Sequence, residues 1–278
     1  MTLADALREA RAANVERLDA QLLLARLLGR PRSWLLAHDD AMLNAEQTAA
    51  WRDLLARRAA GEPLAYLLGE KEFHGLMLQV DSRVLVPRPE TEHLVDWALE
   101  LLAGPLRDRM SPRVVDLGTG SGAIAIAVKH AWPTADVTAT DASEAALTVA
   151  GDNAQRLGLA IRCAAGSWWD AVPHAANDAG FDLGLSNPPY IAGRDSHLLA
   201  LRHEPAAALT PGGDGLDALR AIVAGAPQRL ARGGWLLVEH GFDQGDAVRT
   251  LLRTHGFAAI ETRSDLAGHP RCSAGQRR

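Results

Sequence analysis

Apolar residues recur every three or four positions over the N-terminal quarter of the chain, which is the spacing of amphipathic helices. Thr2 suits a first N-cap, and a second helix in the stretch VERLDAQLLLARLLG ends at Gly29. A third helix begins at Asn44 and closes at Gly61, and the short segment PLAYLLG follows with Pro63 in its first turn. The pattern predicts a small helical bundle that carries no polar cluster of catalytic character.

The period of the apolar pattern changes after Glu70. The stretch LMLQV alternates in the manner of a strand, and a DSR turn leads into a second apolar stretch, VLV. Two such runs on either side of a turn predict a β-hairpin. We expect this hairpin to be a linker at residues 71–88 that follows a helical domain at residues 1–70.

Strand-like and helix-like segments alternate from residue 112 onward. Short apolar runs such as RVVDLG, DVTATD and FDLGLSN are separated by longer helical patterns such as GAIAIAVKHA and LDALRAIVAGAPQRL. Because parallel strands need crossovers of this length, the order predicts a mostly parallel sheet with helices on both faces. This α/β domain is expected to span residues 89–278.

Composition narrows the class of protein. With 278 residues, 47% hydrophobic and 23% charged, the chain can bury a sizeable core. The net charge of -5 and the pI near 6.1 disfavour direct nucleic-acid binding. Cys163 and Cys272 match no metal spacing, so neither a disulfide framework nor a metal site is expected. The N-terminus lacks the apolar core of a signal peptide or membrane span, which favours a cytoplasmic protein without a membrane partner.

A glycine-rich turn joins the RVVDLG strand to the next helix. Gly118, Gly120 and Gly122 would let the backbone turn tightly and approach a ligand, with Thr119 and Ser121 between them. A turn of this kind at the end of a strand indicates a ligand site.

Residues near the glycine turn leave the ligand ambiguous. Asp141 ends the following strand, where a carboxylate can accept both hydroxyls of a ribose. The turn also satisfies the G-x-G-x-x-A fingerprint, so NAD and S-adenosylmethionine both remain open. Asp116, two positions before the first glycine, suits a cationic ligand better than a pyrophosphate. The stretch GSWW, Gly166 to Trp169, ends the third strand, where an indole can cover an adenine, although paired tryptophans are as often core residues.

The stretch SNPPYI begins where the FDLGLSN strand ends. Pro188 and Pro189 fix two φ angles and remove two N–H donors, which leaves rigid carbonyl acceptors. Asn187 adds a side-chain carbonyl, and Tyr190 offers a flat face. The set suits a planar NH2 group, either a carboxamide or the exocyclic amine of a base. Holding its delocalised lone pair toward an electrophilic methyl would need no metal.

Together these motifs resemble the HemK/PrmC family of methyltransferases, which modify the glutamine side-chain amide of peptide-chain release factors. The likeness rests on LGTGSG, SNPPYI, VPRPETE and GEPLAYLLG and extends over nearly the whole chain. It implies a class I methyltransferase fold, with a Rossmann-like seven-stranded sheet, an antiparallel last strand, an N-terminal helical bundle and a β-hairpin linker. The implied reaction is methyl transfer from S-adenosylmethionine to the glutamine of a Gly-Gly-Gln motif, with the bundle docking the release factor.

The resemblance also implies how the cofactor is held. The loop from Gly118 to Gly122, including Thr119 and Ser121, would wrap the amino-acid end of S-adenosylmethionine. Asp141 would bind the ribose, Trp168 would lie beside the adenine, and Asn187 would face the cofactor. Arg88 to Thr91 would line the same pocket.

A second set of implied roles concerns the substrate amide. Asn187 and Pro188 would hold the glutamine amide through their carbonyl oxygens, and Tyr190 would pack on it, so these three are the catalytic candidates. Pro189 would complete the substrate-binding motif.

Two features depart from the family pattern. Pro270 stands before Arg271, and Ser273-Ala274 have low strand propensity, so we expect an irregular last strand. Gly184 lies inside the FDLGLSN strand, where we expect it to weaken packing.

Other functions stay open at this point. The same chemistry could act on a ribosomal-protein glutamine or on the exocyclic amine of a nucleic-acid base. The base would require a basic groove and base extrusion, which the net charge of -5 disfavours. A non-catalytic module that binds S-adenosylmethionine or a nucleotide would have lost a pocket residue, and none is missing. An NAD oxidoreductase lacks support, because no dyad for hydride chemistry follows the strands.

Overall fold

The computed structural model describes residues 1–172 and 179–278, and the chain divides into two compact units, Met1–Lys71 and Glu72–Arg278. The helices of the first unit are α1 (Leu3–Ala12), α2 (Arg17–Leu28), α3 (Arg32–Ala37), α4 (Ala45–Ala59) and α5 (Leu64–Leu68). Their buried faces form one hydrophobic core, in which the largest fully buried side chains are Leu3, Leu23, Leu24 and Trp51.

Helix ends in the first unit follow from capping residues. Thr2 and Asn44 each form a capping box with the residue three positions on, so that side chain and backbone satisfy each other's free groups. Gly29 ends α2 in the left-handed conformation, with φ of 60°. The predicted caps at Thr2, Asn44 and Gly29 are confirmed. Helix α3 was not predicted, because a proline soon after Gly29 indicates the end of a helix. In the structure Pro31 is instead the N-cap of a new helix.

The second unit combines helices and a sheet. Its helices are α6 (Glu92–Ala103), α7 (Ala123–Ala131), α8 (Glu144–Arg156), α9 (Ala206–Leu209), α10 (Asp217–Arg229) and α11 (Gly245–Thr254). The strands are β1 (Glu70–Phe73), which crosses the boundary between the units, β2 (Leu76–Gln79), β3 (Arg113–Leu117), β4 (Asp136–Asp141), β5 (Arg162–Ala165), β6 (Phe181–Ser186), β7 (Leu230–Glu239), β8 (Phe257–Ser264) and β9 (Pro270–Arg277). None of the helices described combines the length and apolar character needed to cross a membrane.

The main sheet, as far as the structure describes it, has seven strands in the order β5-β4-β3-β6-β7-β9-β8. Neighbouring strands from β5 to β7 are parallel, and β9 runs antiparallel to both β7 and β8. One core packs α6 and α7 on one face, and a second packs α10 and α11 on the other. The predicted α/β fold with seven strands and an antiparallel last strand is confirmed.

The strand order reverses between β3 and β6. From β3 the chain moves outward through β4 to β5, and then returns to place β6 on the other side of β3. In doubly wound sheets, ligands bind in the crevice at the carboxyl ends of the strands where the order reverses. The hydroxyl of Ser186 donates to the carbonyl of Leu117 at 2.6 Å, which joins the two strands at that crevice.

The hairpin lies at a different place from the one predicted. Strands β1 and β2 pair around His74 and Gly75, whose φ angles of 50° and 76° are typical of a tight hairpin turn. The apolar stretch at 84–86 was predicted as a strand and is not one. The carboxylate of Asp81 accepts from the Arg83 amide at 3.0 Å and closes a local turn, and the Val86 amide donates to a side chain instead of to a strand.

The last strand is more regular than expected. β9 keeps an uninterrupted register with β7, although its pairing with β8 contains two irregularities. Ser273 and Ala274 are fully buried, and the hydroxyl of Ser273 bonds to Nε2 of His240 at 2.8 Å. A Cβ added to Gly275 would lie 3.0 Å from Phe257. Small residues are therefore required by close packing, which outweighs strand propensity.

Candidate active site

A cavity of about 410 Å³ lies at the carboxyl ends of β3, β4 and β6, where the strand order reverses. Its volume lies in the range of small-ligand sites. It brings together residues that are far apart in the sequence, from Phe73 to Ala208. The predicted site residues in its wall are Gly118, Thr119, Gly120, Ser121, Asp141, Trp168, Asn187 and Pro189. Gly122, Pro188 and Tyr190 lie outside that wall.

The three glycines of the loop after β3 serve different purposes. All have positive φ, between 54° and 85°, which disfavours side chains. A Cβ on Gly120 would meet nothing within 4 Å, so this position leaves open space in the cavity. A Cβ on Gly122 would lie 2.8 Å from Ile126 and 3.1 Å from Ala150, so here the glycine permits close helix packing.

Asp116 lies behind the glycine loop and does not line the cavity. Its Oδ2 accepts from the Thr119 hydroxyl at 2.6 Å and from the Ala125 amide at 3.2 Å. Complete burial raises the pKa of the Asp116 carboxyl to about 7, although those two hydrogen bonds lower it. Its hydrogen bonds are to the loop and to helix α7. The prediction that this acid favours a cationic ligand is therefore not supported by a direct contact with the cavity.

Asp141 ends β4 and fixes its carboxylate against the loop. Oδ2 accepts from the Gly120 amide at 2.9 Å, and Oδ1 accepts from the Ser143 amide at 2.9 Å. These bonds leave further lone pairs on both oxygens for a ligand. The residue is therefore a pre-oriented acceptor in the cavity wall.

The two neighbouring tryptophans have different surroundings. Trp168 lines the cavity and lies over the glycine loop, since a Cβ on Gly118 would be 3.0 Å from its ring. Trp169 is buried, and its Nε1 donates to the carbonyl of Ile222 at 2.7 Å. Gly184 leaves room for the Trp169 ring, 3.2 Å from the position of a Cβ, so this glycine supports packing that it was expected to weaken.

Asn187 follows β6 and lies in the cavity wall. Its Nδ2 donates to the hydroxyl oxygen of Thr91 at 3.0 Å. The other amide atom, Oδ1, makes no hydrogen bond to any residue that the structure describes, and is therefore the acceptor left for a ligand. Thr91 was expected only as a pocket-lining residue, and its bond to Asn187 was not anticipated.

The rest of the Asn-Pro-Pro-Tyr motif surrounds Asn187. Pro189 lines the cavity and Pro188 is buried. The Tyr190 ring packs against the core that contains α10 and α11, and its hydroxyl donates to Oε1 of Glu239 at 3.1 Å. Burial raises the pKa of Tyr190, so the phenol stays protonated and remains a donor. The predicted contact of Tyr190 with a substrate amide stays a prediction.

Sequence reasoning missed Glu204, which holds one wall of the cavity. This buried carboxylate accepts from the Val86 amide at 3.0 Å and forms an ion pair with Arg88. Arg88 and Thr91 line the cavity, as expected, together with neighbouring residues of the 83–88 segment. Nothing in the stretch HEPAAAL, which contains Glu204, indicates a partner more than 100 positions away.

Two family models match the chain over its two parts. Residues 2–69 match the PrmC N-terminal domain, and residues 91–255 match the methyltransferase small domain. The release factor glutamine methyltransferase of Bordetella pertussis is 54% identical over 93% of this chain and 94% of its own length. That of Xylella fastidiosa is 48% identical over 98% of this chain and 97% of its own length.

Solved structures share the fold at much lower identity. The N-terminal domain of human METTL16 in complex with SAH has a TM-score of 0.56 and 18% identity, over 91% of this chain and 93% of that one. A methyltransferase from Pyrococcus furiosus has a TM-score of 0.51 and 15% identity, over 84% and 99%. These likenesses concern the fold, whereas the sequence matches extend along the whole chain. The chain belongs to the release factor glutamine methyltransferase family.

Proposed function

We propose that this protein transfers a methyl group from S-adenosylmethionine to the side-chain amide nitrogen of the glutamine in the Gly-Gly-Gln motif of peptide-chain release factors. The observation that carries the proposal is the free carbonyl oxygen of Asn187, which lies in the same cavity wall as the glycine loop and Asp141. The names of the relatives with 48% to 54% identity support the same substrate.

The residues of the cavity fit S-adenosylmethionine. The open space at Gly120 admits the amino-acid end, the Asp141 carboxylate offers acceptors to ribose hydroxyls, and Trp168 provides a flat apolar face for adenine. When bound, this cofactor would supply an electrophilic methyl group on sulfur, and the amide nitrogen that accepts the methyl group would give up one of its two protons. Arg88, which forms an ion pair with Glu204, lines the same cavity.

The acceptor side of the site compensates for a weak nucleophile. An amide nitrogen donates its lone pair into the neighbouring carbonyl, so it reacts only when it is held in a productive orientation. Asn187 Oδ1 and the carbonyl oxygen of Pro188 are proposed to accept hydrogen bonds from the two N–H groups of the glutamine amide. Two such bonds fix the plane of the amide and direct its lone pair, and positioning then provides most of the acceleration.

The partner and the place of action follow from the substrate. Residues 1–70 are proposed to dock the release factor. Residues 2–69 match the PrmC N-terminal domain, and this part contributes no residue to the cavity wall. We infer that the protein acts in the cytoplasm, where release factors work, and that it needs no direct nucleic-acid contact.

Mapping of a labelled methyl group tests the proposal. The protein is incubated with labelled S-adenosylmethionine and, in separate reactions, an intact release factor, a ribosomal-protein mixture and a duplex DNA. Mass spectrometry of the products is expected to place the label on the glutamine of Gly-Gly-Gln and nowhere else. Label on a base, or on a ribosomal protein but not on the release factor, would contradict the proposed substrate.

A further inference from the structure

Asn153 is a buried amide on α8 to which the proposed reaction gives no role. Its side chain is completely buried and does not line the cavity. Its Oδ1 accepts from the Gln79 amide at 2.7 Å. Its Nδ2 donates to the carbonyl of Gln79 at 2.9 Å and to the carbonyl of Ser121 at 3.0 Å. One side chain therefore connects two backbone segments that are far apart in the sequence.

The partners of Asn153 fix the orientation of its amide. A backbone N–H only donates and a backbone carbonyl only accepts, so Oδ1 must face the Gln79 amide and Nδ2 must face the two carbonyls. Nη2 of Arg156, another donor, lies 3.5 Å from Oδ1 and agrees with this orientation. Both protons of Nδ2 are used. An ionised aspartate would supply the acceptor without the donors, and leucine would supply neither.

The bonds to Gln79 hold the hairpin against α8. Strand β2 belongs to a two-stranded sheet with β1, so its other edge has no strand beside it in the part of the chain described. Asn153 meets both backbone groups of Gln79 there, as a neighbouring strand would. Arg156, one helical turn further on, donates to the carbonyl of Met77, two residues before Gln79. Two side chains of α8 thus take the place of a third strand.

The bond to Ser121 holds the glycine loop against the same helix. Ser121 lies in the cavity wall, and the next residue, Gly122, packs closely on Ala150. Ala150 and Asn153 are three positions apart, so they lie on one face of α8. Without the Asn153 donor, the loop would either keep a buried carbonyl unpaired or move to find another donor.

We propose that Asn153 is a positioning residue of the cofactor site, which holds two walls of the cavity at a fixed separation. One wall is the glycine loop at residues 118–121. The other comes from the hairpin segment, which contributes Phe73 of β1 and residues 83–85. Asn153 touches neither cofactor nor substrate and acts through the backbone of Ser121 and Gln79. The inference rests on the proposed function, because it takes S-adenosylmethionine as the ligand of this cavity.

The test measures binding of S-adenosylmethionine to the full chain by calorimetry, together with urea unfolding. Asn153→Leu keeps a side chain of similar size and removes all three hydrogen bonds. It should weaken cofactor binding about tenfold or more, because the loop carbonyl loses its donor. Asp182→Ala is the matched control, since Asp182 is also buried and accepts from the Arg113 amide at 2.9 Å, but near the opposite end of β6. The control should lower the free energy of unfolding and leave cofactor affinity within about twofold.

Two results would overturn the inference. One is a folded Asn153→Leu protein with wild-type affinity. The other is an equal loss of affinity in Asn153→Leu and Asp182→Ala, which would reduce Asn153 to a contribution to stability. If Asn153→Leu does not fold, hydrogen exchange of the wild-type protein decides. The Gln79 amide should exchange at least about threefold more slowly when the cofactor binds, because its acceptor is joined to the loop, and unchanged exchange overturns the inference.

Failure of the proposed function would look different. None of these measurements uses a release factor, so a wild-type protein that binds the cofactor but does not methylate a release factor contradicts the proposed substrate alone. A wild-type protein that does not bind S-adenosylmethionine contradicts the proposed cofactor before any variant is compared.

Discussion

At the residue scale, Asp116 shows how the glycine loop depends on a buried acid. The side chain is completely buried, and its Oδ1 has no hydrogen-bond partner among the residues described. Burial raises the pKa of this carboxyl from 3.8 to about 7. The folded protein therefore binds the Asp116 proton more tightly than the unfolded chain does.

This shift predicts a pH-dependent stability. A raised pKa contributes stability that is complete below the unfolded value of 3.8 and is lost as pH rises through about 7. Between about pH 6 and pH 8.5 the wild-type protein should lose on the order of 1–2 kcal/mol of unfolding free energy through this group. Urea unfolding of wild-type and Asp116→Asn at both pH values measures it. A variant that loses as much stability as the wild type over this interval would contradict the assignment.

Some residues of the site can be predicted from the sequence, and others cannot. The glycine loop, Asp141 and Asn187 could be found because each stands at the end of an apolar run, which marks the carboxyl edge of a sheet. Thr91 could not be connected to Asn187, since 96 positions separate them in the sequence and only the folded structure brings the two side chains within 3.0 Å. The difference between Trp168 and Trp169 likewise depends on a local turn.

At the scale of elements, the loop before α10 supports the Asn-Pro-Pro-Tyr motif. Gly215 has φ of 82°, and a Cβ there would lie 2.3 Å from the carbonyl oxygen of Tyr190 and 3.1 Å from the amide of Ala192. The backbone after the motif therefore fits against this glycine without room for a side chain. The Tyr190 carbonyl is also held by Nε2 of Gln244 at 3.0 Å.

Gly215→Ala is expected to displace the segment that carries Tyr190 and to lower methyl transfer. Gly212→Ala is the matched control, because its φ of 83° imposes the same backbone strain while a Cβ would meet nothing within 4 Å. Strain alone should cost about 1 kcal/mol of stability in both variants, and the loss of turnover, about tenfold or more, should occur only at Gly215. Equal turnover in the two variants would contradict this role of the loop.

Elements could be predicted where one local signal dominates. Capping residues predict the helix starts at Thr2 and Asn44. The apolar pattern predicts the hairpin turn at the DSR stretch, whereas the structure has it at His74-Gly75. That stretch forms a turn closed by the Asp81 side chain, and β2 ends before it while no strand follows it at residues 84–86. The predicted irregularity of the last strand is wrong for its pairing with β7, because its small residues fit closely against Phe257 of β8 and His240, and only the tertiary structure supplies these neighbours.

At the scale of the whole molecule, each unit has its own hydrophobic core. The cavity is lined entirely by residues of the second unit, from Phe73 to Ala208. Cofactor binding should therefore persist without the first unit, whereas recognition of a large protein substrate is the proposed task of the helical bundle.

A chain that begins at Glu70, which keeps β1 intact, tests this division. It should bind S-adenosylmethionine within about threefold of the full chain, because the cavity wall is complete. On intact release factor its kcat/KM should fall by about tenfold or more, through loss of docking surface. Calorimetry and initial rates measure the two effects. Full activity of the shortened chain on the intact factor would refute the docking role.

The most direct measurement of the central claim compares single-turnover methyl transfer by wild-type protein and by Asn187→Ala, together with the affinity of each for S-adenosylmethionine. Removing the acceptor should slow transfer to the release-factor glutamine by about a hundredfold or more, because the amide loses the bond that orients it. Cofactor affinity should stay within about tenfold, since the glycine loop and Asp141 are intact. Transfer at a rate close to the wild-type value would contradict the account.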